Sequence, residues 1–295
     1  MTDLVLALDF GGTKIAAALV DPTGAVVRSS RVPTPEDPWD AVVALISEVV
    51  GDTRVTGVGI GSAGPVDTVR GTVSPINVPA WQDFPLRSSV ASLFPDVPVE
   101  LAGDGVCMAL GEHRRGAGRG SDFMVGLVVS TGVGGGLVLN GHPFGGRTGN
   151  AGHIGHVVVE ADGAPCTCGG RGCAETVAGG PRMVAWARRA GWRAPEHADA
   201  AHLAAAALAG EEVPLAAFDR AGAAVGMAIA GAAALCDLDV AVIGGGVAQA
   251  GELLFEPVRR TLKAHAGLSY LADMEVRPAQ LGGEAGLVGA AALVR

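Results

Sequence analysis

Leu4-Val5-Leu6-Ala7-Leu8-Asp9-Phe10-Gly11-Gly12-Thr13-Lys14 is an apolar run that ends on an aspartate and two glycines, and Ile15 to Val20 resumes the apolar pattern. A short run without polar alternation reads as a buried strand. Strand, glycine turn and return strand make a hairpin. The arrangement recurs in the second half of the chain. There Met124 to Val129 reads as a strand, Ser130-Thr131-Gly132-Val133-Gly134-Gly135-Gly136 as its turn, and Leu137-Val138-Leu139 as the return strand. Two equivalent hairpins imply two α/β lobes, each offering one turn whose bare backbone N–H groups can converge on an anion.

Between the hairpins, the stretch after Pro38 places Ala41, Val42, Leu45, Ile46 and Val49 on one helical face. Val55 to Ile60 reads as a strand, residues 61–85 as a Gly-, Pro- and Asn-rich loop, and Val106 to His113 as a helix. From Gly179 to Ala234 the chain is Ala-rich and mainly helical, and Val240 to Ile243 is a further strand broken by Gly244-Gly245-Gly246. At 295 residues, 49% hydrophobic and 17% charged, the composition is that of a globular protein of about two domains or lobes. A net charge of −9 argues against nucleic-acid or anionic-membrane partners, which need a basic face. No run of 18 apolar residues occurs, and Met1-Thr2-Asp3 leads into the first strand without the basic and apolar regions of a signal peptide. Three of the five cysteines crowd into eight residues, which is metal spacing rather than a secreted disulfide framework, and the cytoplasm is the expected compartment.

Asp9, Gly11, Gly12, Thr13 and Lys14 suit Mg²⁺-phosphate chemistry, with the carboxylate on the metal's water shell and the turn on phosphate oxygens. A plain hairpin turn with glycine at positive φ explains the same residues equally well. The second turn, with Thr131, Gly132, Gly134 and Gly135, and the cluster Gly244-Gly245-Gly246 bring the glycine turns at strand ends to three, and together they favour a nucleotide. Gly59-Ile60-Gly61-Ser62-Ala63-Gly64 matches G-x-G-x-x-G in form, but Pro65-Val66-Asp67 opens no helix, so a dinucleotide fingerprint is not expected there.

His156, Cys166, Cys168 and Cys173 follow His-x₉-Cys-x-Cys-x₄-Cys, one imidazole and three thiols suited to a closed tetrahedral zinc site. Gly169, Gly170 and Gly172 let the short loop fold back on itself. Buried, reduced cysteines without a metal are the bland alternative. A closed set of four protein ligands makes the ion structural, since no position is left for water. Cys107 and Cys236 read as core fillers.

These residues together resemble the ROK family (repressors, open reading frames and sugar kinases) within the two-lobed actin-like ATPase, ribonuclease H-like, α/β fold. The resemblance covers nearly the whole chain. It is carried by Asp9 to Lys14, Gly59 to Asp67, Ser130 to Gly136, Gly155-His156, Cys166-x-Cys168-Gly-Gly-Arg-Gly-Cys173-Ala-Glu175 and Gly244 to Gly246. The cysteine segment with its flanking His and Glu is its most specific part. The family's repressors carry a winged helix ahead of the first phosphate strand, and with that strand beginning at residue 4 a kinase is expected rather than a repressor.

The resemblance implies a small lobe over residues 1–104, with the C-terminal helix 287–295 as its candidate completion, and a large lobe over 105–286 with the zinc loop. It implies ATP, Mg²⁺ and structural Zn²⁺, and transfer of the γ-phosphoryl group to the 6-hydroxyl of a hexose, with the lobes closing on the sugar to exclude water. Gly244 to Gly246 would lie against the adenosine. Homodimers are common in the family. Asp104, ahead of a helix ending in Gly111-Glu112, would be the catalytic base that accepts the hydroxyl proton. An Asp at that position is equally a helix N-cap. Ser62, Ala63, Gly64, Gly103, His153, His156 and Glu175 would complete the sugar site.

Two departures stand out. Where the family has Asn before the catalytic Asp, this chain has Gly103, and where it has Glu-x-Gly-His, this chain has His153-Ile154-Gly155-His156. In the related kinases both lost side chains reach the sugar's 3-hydroxyl, so a hexose altered at C3, such as 3-amino-3-deoxyglucose, is the expected substrate. An ordinary glucokinase or an N-acetylmannosamine-type kinase is the alternative, and a non-catalytic sugar-binding relative is the alternative of another class. The zinc site, orienting His153, His156 and Glu175, is expected to matter for sugar affinity before ATP affinity.

Overall fold

A computed structural model of the chain describes residues 3–76 and 78–295. In chain order the first half forms β1 (Leu4–Phe10), β2 (Lys14–Val20), β3 (Val26–Pro33), α1 (Trp39–Val50), β4 (Val55–Ser62), β5 (Val66–Asp67), β6 (Thr72–Val73), α2 (Leu86–Ala91), β7 (Val99–Gly103), α3 (Asp104–Arg115) and β8 (Phe123–Val129). The second half forms β9 (Val133–Leu139), β10 (His142–Phe144), α4 (Ala174–Ala178), α5 (Gly180–Arg189), α6 (Ala200–Leu208), α7 (Glu212–Cys236), β11 (Val240–Gly244), α8 (Glu252–His265), β12 (Glu275–Pro278) and α9 (Ala285–Ala292). Two five-stranded sheets run β3-β2-β1-β4-β7 and β10-β9-β8-β11-β12, so the repeated hairpin of the sequence is the start of a repeated sheet.

The chain divides into two compact units, one of Met1–Gly120, Gly136–Gly152 and Leu281–Arg295, the other of Ser121–Gly135 and His153–Gln280. In the first unit β1 pairs antiparallel with β2 and parallel with β4, which pairs parallel with β7. The unbroken apolar run of β1 has a direct cause. Leu6, Leu8 and Phe10 pack with Val42, Leu45, Ile46 and Val49 of α1, whereas Val5 and Ala7 pack on the opposite face with Val106 and Cys107 of α3 and Leu287, Ala290 and Ala291 of α9. A strand between two helical layers alternates between two cores and shows no polar face.

The same sandwich explains the Gly-x-Gly-x-Gly of β4. Val58 and Ile60 point to the α1 side, and Gly57, Gly59 and Gly61 to the other. A methyl group on Gly59 would lie 1.7 Å from the Ala290 carbonyl oxygen of α9, and one on Gly61 would lie 3.0 Å from the Cys107 sulfur of α3, so these two glycines admit the helical layer and no dinucleotide fingerprint is needed to explain them. Gly289 lets α9 approach α3 in the same way, with 1.6 Å to the Cys107 oxygen.

In the second unit β11 pairs parallel with both β8 and β12. The α7 helix is long and apolar enough to cross a membrane, but 61% of its most apolar stretch is buried inside the protein, as in a core helix. Gly222 and Gly226 of α7 face Pro257 and Thr261 of α8. Several expected bounds move. The return strand begins at Val133 rather than 137, which takes Gly134, Gly135 and Gly136 out of the turn and into β9. The stretch 61–85 holds the β5–β6 hairpin, and α3 starts two residues earlier than expected, on Asp104.

Candidate functional site

In the first unit, Asp9 stands near the end of β1, where its neighbour Phe10 accepts the Ala63 N–H at 2.7 Å. The turn that follows is closed by Gly11 N–H to the Lys14 carbonyl at 2.9 Å, and Thr34, just after β3, pins it, its hydroxyl donating to the Gly11 oxygen at 3.0 Å. Neither Gly11 nor Gly12 adopts a positive φ, so that conformation does not explain the two glycines. At Gly11 the constraint is close approach, since a methyl group there would lie 3.1 Å from the Lys14 oxygen that its own N–H already bonds. Thr13 and Lys14 are exposed on the turn.

Burial pushes the Asp9 carboxyl up to about 6, the charge of Asp104 adds to the rise, and Lys14 opposes it. Asp104 is the first residue of α3, with Gly103 as its N-cap, and it is exposed. Its Oδ1 accepts the Gly105 N–H at 2.7 Å. A carboxylate at a helix N-terminus complements the partial positive charge there. Gly103 has φ −66° and ψ 149°, which any residue adopts, and a methyl group there would meet nothing nearer than the Gly149 oxygen at 4.0 Å. Ser62 is fully buried with its hydroxyl donating to the Ala63 carbonyl at 3.0 Å, and the Gly64–Pro65 peptide is cis. Cys107 is fully buried in α3, and burial pushes its thiol well above the ordinary range. Cys236 is half-buried at the end of α7.

In the second unit, Ser130 N–H closes the turn on the Gly132 carbonyl at 2.9 Å. Gly244 ends β11, and Gly245, at φ +97°, has the Val129 oxygen where a side chain would stand. Gly246 lies beside the Ser130 hydroxyl. The turn bearing Thr131 and Gly132 and the Gly244–Gly246 cluster are therefore neighbours, while Gly134 and Gly135 lie beyond the turn in β9. Glu175, in the first turn of α4, accepts the Val133 N–H on Oε2 at 3.0 Å. His153 is exposed, and its ring runs nearly parallel to that of His156, 6.0 Å away.

The ligating atoms of His156, Cys166, Cys168 and Cys173 all lie within 4.8 Å of one another. Cys168 and Cys173 sulfurs are 3.7 Å apart, and the Cys166 sulfur is 3.8 Å from His156 Nδ1. Zinc–sulfur bonds of about 2.3 Å in a tetrahedron require a sulfur–sulfur edge of about 3.8 Å, so the donor set and its spacing fit that ion. Burial and the adjacent thiols push Cys173 up to about 12, and a bound cation is what would make it a thiolate. Gly169 at φ +90° and Gly172 at φ +70° supply the tight loop that brings the sulfurs together.

Two positions went unread in the sequence. Asn150 Nδ2 donates to the Val66 carbonyl at 2.6 Å while its Oδ1 accepts the Val66 N–H at 3.1 Å, so one side chain clasps β5 as a strand would. Glu112, fully buried, accepts N–H groups from Ala117 and Leu281. The available signal was an Asn amid glycines for the first and an acidic residue on an apolar helix for the second.

The family model of the ROK family matches residues 5–295. A glucokinase of Thermotoga maritima is 35% identical, covering 99% of this chain and 97% of the relative. An N-acetylmannosamine kinase of Yersinia pseudotuberculosis is 34% identical over 98% of each chain. Among solved structures, a ROK family glucokinase from Streptomyces griseus in complex with glucose and AMPPNP superposes with a TM-score of 0.83 at 35% identity, over 99% of both chains.

Proposed function

This chain belongs to the ROK family, and from that membership we propose that it is an ATP-dependent sugar kinase of the glucokinase or N-acetylmannosamine kinase type. The observation that carries the reading is the pair of carboxylates in the first unit. Asp104 is exposed at the head of α3 within electrostatic reach of Asp9, the last residue but one of the strand that runs into the Gly11-Gly12 turn.

The reaction transfers the ATP γ-phosphoryl group to the 6-hydroxyl of a hexose. Asp104 accepts the hydroxyl proton as the oxygen attacks the γ-phosphorus and the bond to the β–γ bridging oxygen breaks, releasing ADP. Asp9 is assigned to the water shell of a Mg²⁺ ion, which when bound with ATP would supply positive charge beside the phosphates. Gly11 to Lys14, the Thr131-Gly132 turn and Gly244 to Gly246 are assigned to the nucleotide. Ser62 to Gly64, Gly103, His153, His156 and Glu175 are assigned to the sugar. His156 Nδ1, with Cys166, Cys168 and Cys173, would hold a zinc ion whose contribution would be a structural cross-link, leaving His156 Nε2 for a sugar hydroxyl.

For the sugar, we propose a hexose altered at C3, such as 3-amino-3-deoxyglucose. Support comes from the open space at Gly103, which its own backbone does not require, and from the imidazole of His153, which when neutral accepts a hydrogen bond from an amino group. N-acetylmannosamine is the second reading, supported by the 34% identity to the Yersinia enzyme. A coupled ADP-release assay with Mg-ATP against glucose, mannose, allose, N-acetylmannosamine, glucosamine and 3-amino-3-deoxyglucose, with Asp104→Ala as the blank, decides among them. Silence on every sugar with ATP still bound would leave a non-catalytic sugar-binding protein.

A further inference from the structure

We propose that the Cys/His centre is a positioning device for the Ser130–Gly132 turn, acting through Gly155 and Glu175 on one residue, Val133. Val133 opens β9 directly after the turn. Its N–H donates to Glu175 Oε2 at 3.0 Å. Its carbonyl oxygen faces Gly155, where a methyl group would lie 1.8 Å away, so only glycine admits it. Gly155 immediately precedes His156, and Glu175 stands two residues after Cys173. Both grips on Val133 thus sit beside metal-ligating side chains that come from separate stretches of chain. Bringing His156 and Cys173 to a common ion sets the distance between the grips.

The rest of the turn is held by the same segment. A methyl group on Gly132 would lie 2.4 Å from Glu175 Oε2, and one on Gly179 would lie 2.9 Å from the Thr131 oxygen. Gly180 N–H donates to the Ser130 carbonyl at 2.8 Å. Ser130, Thr131, Gly132 and Val133 are therefore each touched by residues 175–180, which continue straight on from Cys173. A turn that presents backbone N–H groups to an anion works only when those groups are fixed in direction. The expectation that metal loss affects the sugar before the nucleotide is replaced by one in which the nucleotide turn responds directly.

The proposal rests on the reading that this turn takes nucleotide phosphates, and its test separates the two. Metal content, Mg-AMPPNP affinity by calorimetry, and hydrogen exchange of a ligand-free peptide spanning 128–136 are measured on the metal-loaded chain, on chelator-stripped chain, and on Gly155→Ala, Glu175→Ala and Glu175→Gln. Stripping is expected to weaken Mg-AMPPNP about tenfold, the size of one charge-assisted hydrogen bond, and to speed exchange at 130–133. Gly155→Ala is expected to do both while keeping its metal. Glu175→Ala speeds exchange, and Glu175→Gln, whose amide oxygen still accepts the Val133 N–H, restores protection. Stripped protein that stays folded with unchanged exchange at 130–133 overturns the proposal, as does a Gly155→Ala effect that appears only with metal loss. If the metal-loaded chain binds no Mg-AMPPNP, the nucleotide reading falls, and the exchange comparison alone decides whether the centre positions the turn.

Discussion

The buried carboxylate of Glu112, in the last turn of the helix that Asp104 begins, accepts the backbone N–H of Leu281 at 2.8 Å. Its other oxygen accepts the Ala117 N–H at 2.9 Å, so one side chain closes the end of α3 and anchors the entry to α9. Glu112→Ala removes the carboxylate acceptor of two N–H groups and leaves a cavity where a fully buried side chain stood, at about 1–3 kcal/mol for each lost bond. The expected outcome is a loss of about 2–5 kcal/mol, read as a fall in denaturant midpoint at constant m-value.

Asp104→Asn keeps the shape of the α3 N-terminus and removes the proton acceptor. Turnover is expected to fall about 10²–10⁴-fold, with sugar and Mg-AMPPNP affinities near those of the parent. Calorimetry beside the ADP-release assay checks the separation, and a variant with parental turnover would remove Asp104 from the chemistry.

Asp9 sets a pH dependence whose sign follows from burial. Its folded value of about 6 lies above the ordinary 3.8, so folding favours the protonated form. The stabilisation is complete below about pH 4 and is lost as pH rises through about 6, leaving the ionised group at a cost of about 3 kcal/mol. Asp9→Asn is expected to unfold at higher denaturant than the parent at about pH 7.5, with the difference vanishing near pH 4. The parent's Mg-ATP affinity is expected to weaken below about pH 6, where the anion that holds the metal is lost. A parent whose Mg-ATP affinity is flat from pH 5 to pH 8 would contradict the role given to Asp9.

Gly103→Asn and His153→Glu test the sugar assignment. A methyl group at 103 meets nothing within 4.0 Å, so the Asn side chain is expected to be accepted without loss of stability. The double variant is expected to shift kcat/KM towards glucose by about 10–100-fold relative to 3-amino-3-deoxyglucose, the effect of one or two buried hydrogen bonds. An unchanged ratio would detach both positions from specificity.

Asn150→Asp replaces the amide donor facing the Val66 carbonyl with a carboxylate oxygen, which repels it. Since Val66 lies two residues after Gly64, the sugar KM is expected to rise about tenfold with the Mg-ATP KM within about twofold. Equal changes in both constants would mark a general loss of structure instead.

What could be read along the chain was whatever neighbouring residues impose on one another. The buried strand β1, its hairpin, the helical face of α1 and the clustering of His156, Cys166, Cys168 and Cys173 all involve short separations, and all stand where the sequence placed them. Strand β3, with Val27, Arg28, Ser29 and Arg31 exposed at a sheet edge, carried no apolar period to mark it as a strand. The glycines divided along the same line. Gly169, with open space around it, serves its own turn, but Gly59, Gly136, Gly155 and Gly289 are glycine because another segment's backbone comes within 3 Å of where a side chain would be, and Gly172 meets both demands. The requirement at those positions belongs to the packed neighbour, and so do the buried amides that Glu112 and Asn150 satisfy. Composition and spacing determine which local structures form and which chemistry they can carry. Only tertiary packing decides which bare backbone faces an anion and which faces a helix, because the two look alike until the partner arrives.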